Sequence, residues 1–276
     1  MTDSRVKVYR VDQQQSNSFK REMAFAIFVI ISLLLICCMF LNPAFMKGQI
    51  RSSNNRVVVT RQINSHFDTL ARYVGDDQGQ SSNLLTDRET LPIADHVIDY
   101  SLGIHWPRFS SLEVGQQILH DINLNIDTDS SSEAQQINHD LKKQKANAVY
   151  IVNTAFNLSV VSLGANIVLV LWAVNLIIII LTVISIIALI QEMKVRLAGR
   201  TLIHDIAAGT MWAGFWLMLI YGLLSLVPVF FNVENLGLGE LAYLIELSSS
   251  VFLEFVIAGA IVFVLAAIPW QITATE

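Results

Sequence analysis

The stretch ANAVYIVNTAFNLSVVSLGANIVLVLWAVNLIIIILTVISIIALIQ, residues 146–191, runs for 46 residues without a charge, and from Leu158 to Ile190 it is almost unbroken Val, Ile, Leu and Ala. As one helix it would extend about 70 Å, roughly twice the ~30 Å hydrocarbon layer of a bilayer. How that excess is accommodated decides the topology.

The rest of the chain has the same character in blocks. Of 276 residues 53% are hydrophobic and 15% charged, with a mean hydropathy of +0.51, against roughly 25% charged in a soluble domain. The apolar excess collects in four blocks and spares the segment 42–148, whose composition is that of an ordinary soluble segment. A net charge of −5 and a pI near 5.7 supply no basic stripe, so nucleic acid is not an expected partner.

The first block, 23–41, follows Lys20 and Arg21 and ends at Asn42-Pro43. Its apolar run exceeds the about 7–15 residues of a signal peptide and has no small-residue cleavage site, so it reads as a retained span. Ile36-Cys37-Cys38 also lacks the small residue expected before a lipidated cysteine. Both cysteines of the chain lie in this span, so 42–148 has no disulfide. That is permissible for an exported bacterial domain.

Orientation follows from the basic flanks, which are retained inside. Arg5, Lys7, Arg10, Lys20 and Arg21 place the N-terminus in the cytoplasm, and Lys194, Arg196 and Arg200 place the loop 191–205 there too. The uncharged stretch must therefore cross once, because a hairpin turning near Ser162–Asn166 would strand the basic loop outside. Beyond Arg200 the remaining 76 residues hold no Lys or Arg. Acids and aromatics decide there: 206–231 leads outward to a loop 232–248 with Glu234, Glu240 and Glu246, and 249–270 returns. Trp212, Trp216 and Trp270 then fall toward the cytoplasmic half as an aromatic belt.

The predicted fold is thus an all-α polytopic membrane protein of four transmembrane helices. Its order is a cytoplasmic segment 1–22, a span at 23–41, a mostly helical exported domain 42–148, and an outer helical extension plus second span at 149–190. The basic loop 191–205, the span 206–231, the outer loop 232–248, the span 249–270 and a cytoplasmic end 271–276 follow.

Within the exported segment Ile63, Phe67, Leu70 and Val74 recur at helical spacing. Gly75-Asp76-Asp77-Gln78-Gly79 should break that helix, Leu91-Pro92 open the next, and Trp106-Pro107 end it. Ser110 with Glu113, and Ser130 with Glu133, match capping boxes. From Ser131 no proline intervenes before Gly199, which predicts one helix rising from the exported domain straight into the second span.

Three features are candidates for chemistry. At 100° per residue Asn153, Asn157, Gly164, Asn175 and Thr182 share one helix face within about 60°, a small and polar stripe that either packs against another helix or lines a path. Glu254, flanked by Ser250 and Ala258, is an ionisable group in the fourth span and a functional candidate by default. With no cation in 201–276 to pair with it, a neutral carboxyl bonded to an Asn of the second span would meet the cost of burial. The pairs His120-Asp121, His139-Asp140 and His204-Asp205 are sequence neighbours that do not face each other on a helix, and they read as solvated. The Asn157-Leu158-Ser159 glycosylation pattern falls at the membrane surface.

No His-x-x-x-His, phosphate loop or nucleophile elbow occurs, so no catalytic, cofactor or metal residues are assigned. The expected role is that of an integral protein of the cell membrane acting through contacts with other envelope proteins, in sensing, assembly or regulation. Lys194, Arg196 and Arg200 are the candidate cytoplasmic contacts. The alternative is a permease-like transport subunit driven by a separate cytoplasmic ATPase, since the order of elements is similar in outline to such small subunits. A third reading is an interfacial membrane enzyme using His105 or His120 beside Glu254. Changes to Ile118, Leu119 and Ile122 should damage a contact protein, and changes to Glu254 and Asn175 a transporter.

Overall fold

A computed structural model describes residues 2–75, 83–230 and 242–274. Among them helix is the only regular secondary structure, and four helices are long and apolar enough to cross a membrane: Ser16–Phe40, Leu158–Arg196, Gly199–Ser225 and Leu247–Ala274. In chain order the helices are α1 (Thr2–Leu35), extended by a π-helical turn at Ile36–Phe40, α2 (Pro43–Ile50), α3 (Ser53–Val74), α4 (Asp87–Ser101), α5 (Leu112–Asn125) and α6 (Ser132–Lys143). A 3₁₀ turn at Lys145–Asn147 precedes α7 (Ala148–Ala155), α8 (Leu158–Arg196), α9 (Gly199–Ser225), α10 (Val227–Phe230) and α11 (Ala242–Ala274). The expected break at 76–79 and the acids Glu234, Glu240 and Glu246 lie outside the described residues or side chains. So do the side chains of Arg5, Lys7 and Arg10.

The chain divides into two compact units. One comprises Met1–Cys37, Val174–Phe230 and Ser249–Glu276, the other Cys38–Ala173 and Phe231–Ser248. In the first, α1 and α9 run parallel, since Ser16 and Lys20 meet Asp205, Met23 meets Gly209, and Phe28 stacks on Tyr221 at 6.5 Å. Phe19, Met23 and Met193 form a buried cluster with Ile27 and Ile206 packed around it. Helices α9 and α11 cross backbone to backbone: a Cβ at Gly214 would stand 2.8 Å from the carbonyl of Gly259, and one at Gly259 would stand 2.8 Å from Cβ of Leu217. Small residues permit this approach, and in lipid close packing replaces the hydrophobic drive as the source of helix association.

The second unit has an internal core. Val59, Ile63, Phe67 and Leu70 of α3 are buried with Ile118 and Ile122 of α5 and Ile137 and Leu141 of α6, so the 3.6-residue period is realised as a common interior. Val74, read as the next member, is only half-buried at the helix end. There α3 stops at Gly75, whose φ of +97° favours glycine. Asn64 is buried and fully used: its amide donates to the carbonyls of Thr60 and Leu85 at 3.0 Å, and its oxygen accepts from the Leu85 N–H at 2.8 Å.

Two local expectations change. Helix α4 begins at Asp87 rather than at Leu91-Pro92, because Thr86 and Glu89 form a reciprocal capping box that fixes the start upstream, and Pro92 sits inside the helix. Glu89 also accepts from the Ser130 hydroxyl, so that serine is not a cap. The cap of α6 is Ser131, which accepts from the Ala134 N–H at 3.2 Å. The continuous helix from Ser131 is broken as well. It ends at Lys143, turns at Lys145 (φ +50°), resumes as α7 and breaks again at Phe156–Asn157, with Asn157 at φ +49°. Asn is among the residues that tolerate this left-handed conformation.

Candidate functional site

Among the described residues the most deeply buried charged group lies in the first unit. Asp205, in the second turn of α9, is 1% exposed; its Oδ2 accepts from the Ser16 hydroxyl at 2.8 Å, and Oδ1 lies 3.1 Å from Lys20 Nζ. A carboxylate at the end of a spanning helix is tolerable when a cation and a hydroxyl replace its water. This corrects the solvated reading of His204-Asp205. His204 is also engaged: Nδ1 is 3.0 Å from the Thr273 hydroxyl and the ring stacks on Trp270 at 5.7 Å. The signal missed in the sequence was a lone acid at the N-terminal edge of one span, matched by a lysine at the same edge of another.

The polar stripe is not assembled as a stripe. The break at Asn157 removes Asn153 from the face of α8, and the Asn153 Oδ1 is buried without a hydrogen-bond partner. Thr182 donates to the carbonyl of Ile178 in its own helix at 2.7 Å. Asn175 is buried, whereas the apolar residues around it on α8 are largely exposed. Glu254 is half-buried on α11 beside Phe255, and among the described residues it makes no hydrogen bond or ion pair, so the expected Asn partner is not there. Of the basic loop, Lys194 is exposed, Arg196 pairs with Glu192 one turn earlier at 2.8 Å, and Arg200 Nε donates to the Thr273 carbonyl at 3.3 Å.

In the second unit, Asp121 of α5 is buried and its Oδ2 lies 3.2 Å from Nε2 of His96 on α4. Burial raises its carboxyl above the ordinary value, and the nearby imidazoles of His96 and His120 oppose the shift. Its partner is thus His96, across a helix pair, and not the adjacent His120, which is exposed. The solvated reading holds for His120 and for the pair His139-Asp140: both histidines are exposed, and Asp140 pairs with Lys143 at the surface, where hydrogen bonding holds its carboxyl below the ordinary range. Ile118 and Ile122, read as a contact face, are core residues.

The same unit has a partly open, mainly apolar pocket of about 300 Å³ lined by Met46, Ile50, Ile63, His66, Phe156 and Leu158 among others. The ring of His66 stacks on Phe156 at 5.5 Å, with Nδ1 3.1 Å from the Ala155 carbonyl and Nε2 3.2 Å from the Gln62 amide. His66 thereby takes up the carbonyl at the end of α7, next to the break. The pocket lining holds no acid; the polar side chains there are Gln62, His66, Ser101 and Ser248 in an otherwise apolar wall, which suits an apolar group. Among the described residues no group of three or more His, Cys, Asp or Glu side chains could hold a metal ion.

The segment after α4 is the clearest exposed apolar surface of this unit. Trp106 is 89% and Phe109 93% exposed, and Ile104 is exposed beside them. The backbone beneath is fixed. Asn166 accepts from the Arg108 N–H at 2.7 Å and donates to its carbonyl at 2.9 Å, while the Tyr100 hydroxyl donates to the Ser110 carbonyl at 2.8 Å. The Arg108 guanidinium lies 4.6 Å over the Tyr100 ring, a cation–π contact. At the start of this segment Gly103 (φ +83°) donates to the Leu41 carbonyl at 3.0 Å. No protein-family model, curated protein or solved structure matches the chain.

Proposed function

We propose that this is an integral protein of the cell membrane with cytoplasmic termini and an exported helical domain, acting through contact with other envelope proteins in sensing, assembly or regulation. The observation that carries the reading is the segment 103–111. Two aromatic side chains stand out from a packed helical domain on a backbone clamped by Asn166 and Tyr100. Rigid, exposed aromatics bury large area at little entropic cost, which is how hot spots are built. The basic flanks, Lys20 and Arg21 before the first span and Lys194, Arg196 and Arg200 after the second, support the orientation.

A second reading has its own observation. Asn166, which clamps the segment, belongs to a helix long and apolar enough to span, which supports reading Trp106 and Phe109 as interfacial aromatics that anchor the protein to lipid. Affinity purification of the full chain in mild detergent separates the two. The double variant Trp106→Ala, Phe109→Ala should lower partner recovery about tenfold or more at unchanged protein level and melting temperature. Full recovery would assign the segment to the bilayer and defeat contact at this surface.

A further inference from the structure

The parallel packing of α1 and α9 leaves a groove of about 810 Å³ in the first unit. One end is polar and cationic, with Asn17, Lys20 and Arg21; the rest is apolar and aromatic, with Phe25 and Phe28 on α1 and Trp212, Trp216 and Ile220 on α9. Trp212, Trp216 and Ile220 recur every four residues and so line one face. From Asn17 to Phe28 the groove follows α1 over 12 residues, about 16 Å from first to last, which is half of the ~30 Å hydrocarbon layer. Its length is that of one leaflet. Lys20 is engaged by Asp205, and Arg21, exposed at the mouth, makes no ion pair among the described residues. Glu22, the neighbouring acid, accepts from the Ser18 hydroxyl at 2.9 Å and does not line the groove.

We propose that this groove is a binding site for one anionic glycerophospholipid. Its phosphate lies at Arg21 and Asn17, and an acyl chain lies along Phe25, Phe28, Trp212, Trp216 and Ile220. The charge of the mouth complements the phosphate, the lining complements the chain, and the length matches a leaflet. A helix of a partner protein would satisfy the apolar wall but would leave the cationic mouth without its complement. The leaflet concerned is the cytoplasmic one if the N-terminus is inside, as proposed above, and that leaflet carries the anionic lipids that attract Lys and Arg. The site itself requires only that α1 and α9 lie in a bilayer.

The test uses the full chain in nanodiscs with a phosphatidylglycerol carrying a diazirine in its acyl chain, and a phosphatidylcholine with the same chain as control. Crosslinks mapped by mass spectrometry should fall on the peptides containing Phe25–Phe28 and Trp212–Ile220, with phosphatidylglycerol labelling about fivefold above phosphatidylcholine, the preference expected of one cation near the surface. Arg21→Gln should reduce that preference to near parity and leave phosphatidylcholine labelling unchanged. Equal labelling of the wild type by the two lipids, a preference that survives Arg21→Gln, or wild-type crosslinks confined to other helices would each overturn the proposal. Because the map is read on the wild type, the proposal stays testable if the variant fails to fold. Loss of the Trp106–Phe109 contact would leave these crosslinks unchanged, so the two proposals fail separately.

Discussion

Single residues carry information when their surroundings oppose their chemistry. Asp121 is a buried carboxylate with the imidazoles of His96 and His120 nearby, and its carboxyl is raised above 3.8 chiefly by burial. A raised carboxyl binds its proton more readily in the folded state. Stability therefore falls as pH rises from the ordinary carboxylate value of 3.8 up through the folded one, and is level above both. Asp121→Asn should flatten that part of the profile, measured as melting temperature against pH for the purified protein; an unchanged slope would show that Asp121 does not contribute it. Asp205 poses the same problem in a spanning helix, and there Lys20 and Ser16 resolve it. Neither pairing was readable along the chain. Asp205 and Ser16 are 189 positions apart, and the adjacent histidines that draw attention to both acids are not their partners.

At the scale of elements, apolar runs fix which helices can span and close packing fixes how they meet. Gly214 and Gly259 let α9 and α11 touch through backbone. Gly259→Val forces a Cβ to within 2.8 Å of Leu217 and should cost about 1–3 kcal/mol, the range for overpacking. A fall in melting temperature in detergent would show it. Gly222→Ala is the control, since its Cβ would meet only a Val256 methyl at 3.8 Å, and it should be close to neutral. Equal effects would mean that the crossing does not depend on the glycine pair. Element boundaries were legible where a signal was local, as at Gly75, and misread where a distant partner competed. Ser130 bonds to Glu89 instead of capping α6, and the Thr86–Glu89 box overrides Pro92 as the start of α4.

For the molecule as a whole, the consequential statement is which parts lie on which side. His120 and Val195 are both exposed in the fold, so either can be probed without unpacking a core. With Cys37 and Cys38 replaced by Ser, a cysteine introduced at 120 should react with an impermeant maleimide added to intact cells, and one at 195 only after lysis. Labelling of 195 from outside would overturn the single crossing by the uncharged stretch. The 39 residues of α8 extend about 58 Å, more than one bilayer core. Its first residues, up to Ala173, belong to the second unit, where Asn166 grips the Arg108 backbone.

The sequence by itself determined four helices able to span a membrane, because an apolar run of sufficient length is a local property that no distant contact supplies. It also held the helical period of the 42–148 segment, for the same reason. Only the tertiary structure decided the break at Asn157, the inward turn of Ile118 and Ile122, and the clamped aromatics at 106 and 109. It alone joined a lysine and an aspartate of two spans beside a groove. Each of these depends on which helix faces which, and that is settled by packing and by the need of buried polar groups for partners far along the chain.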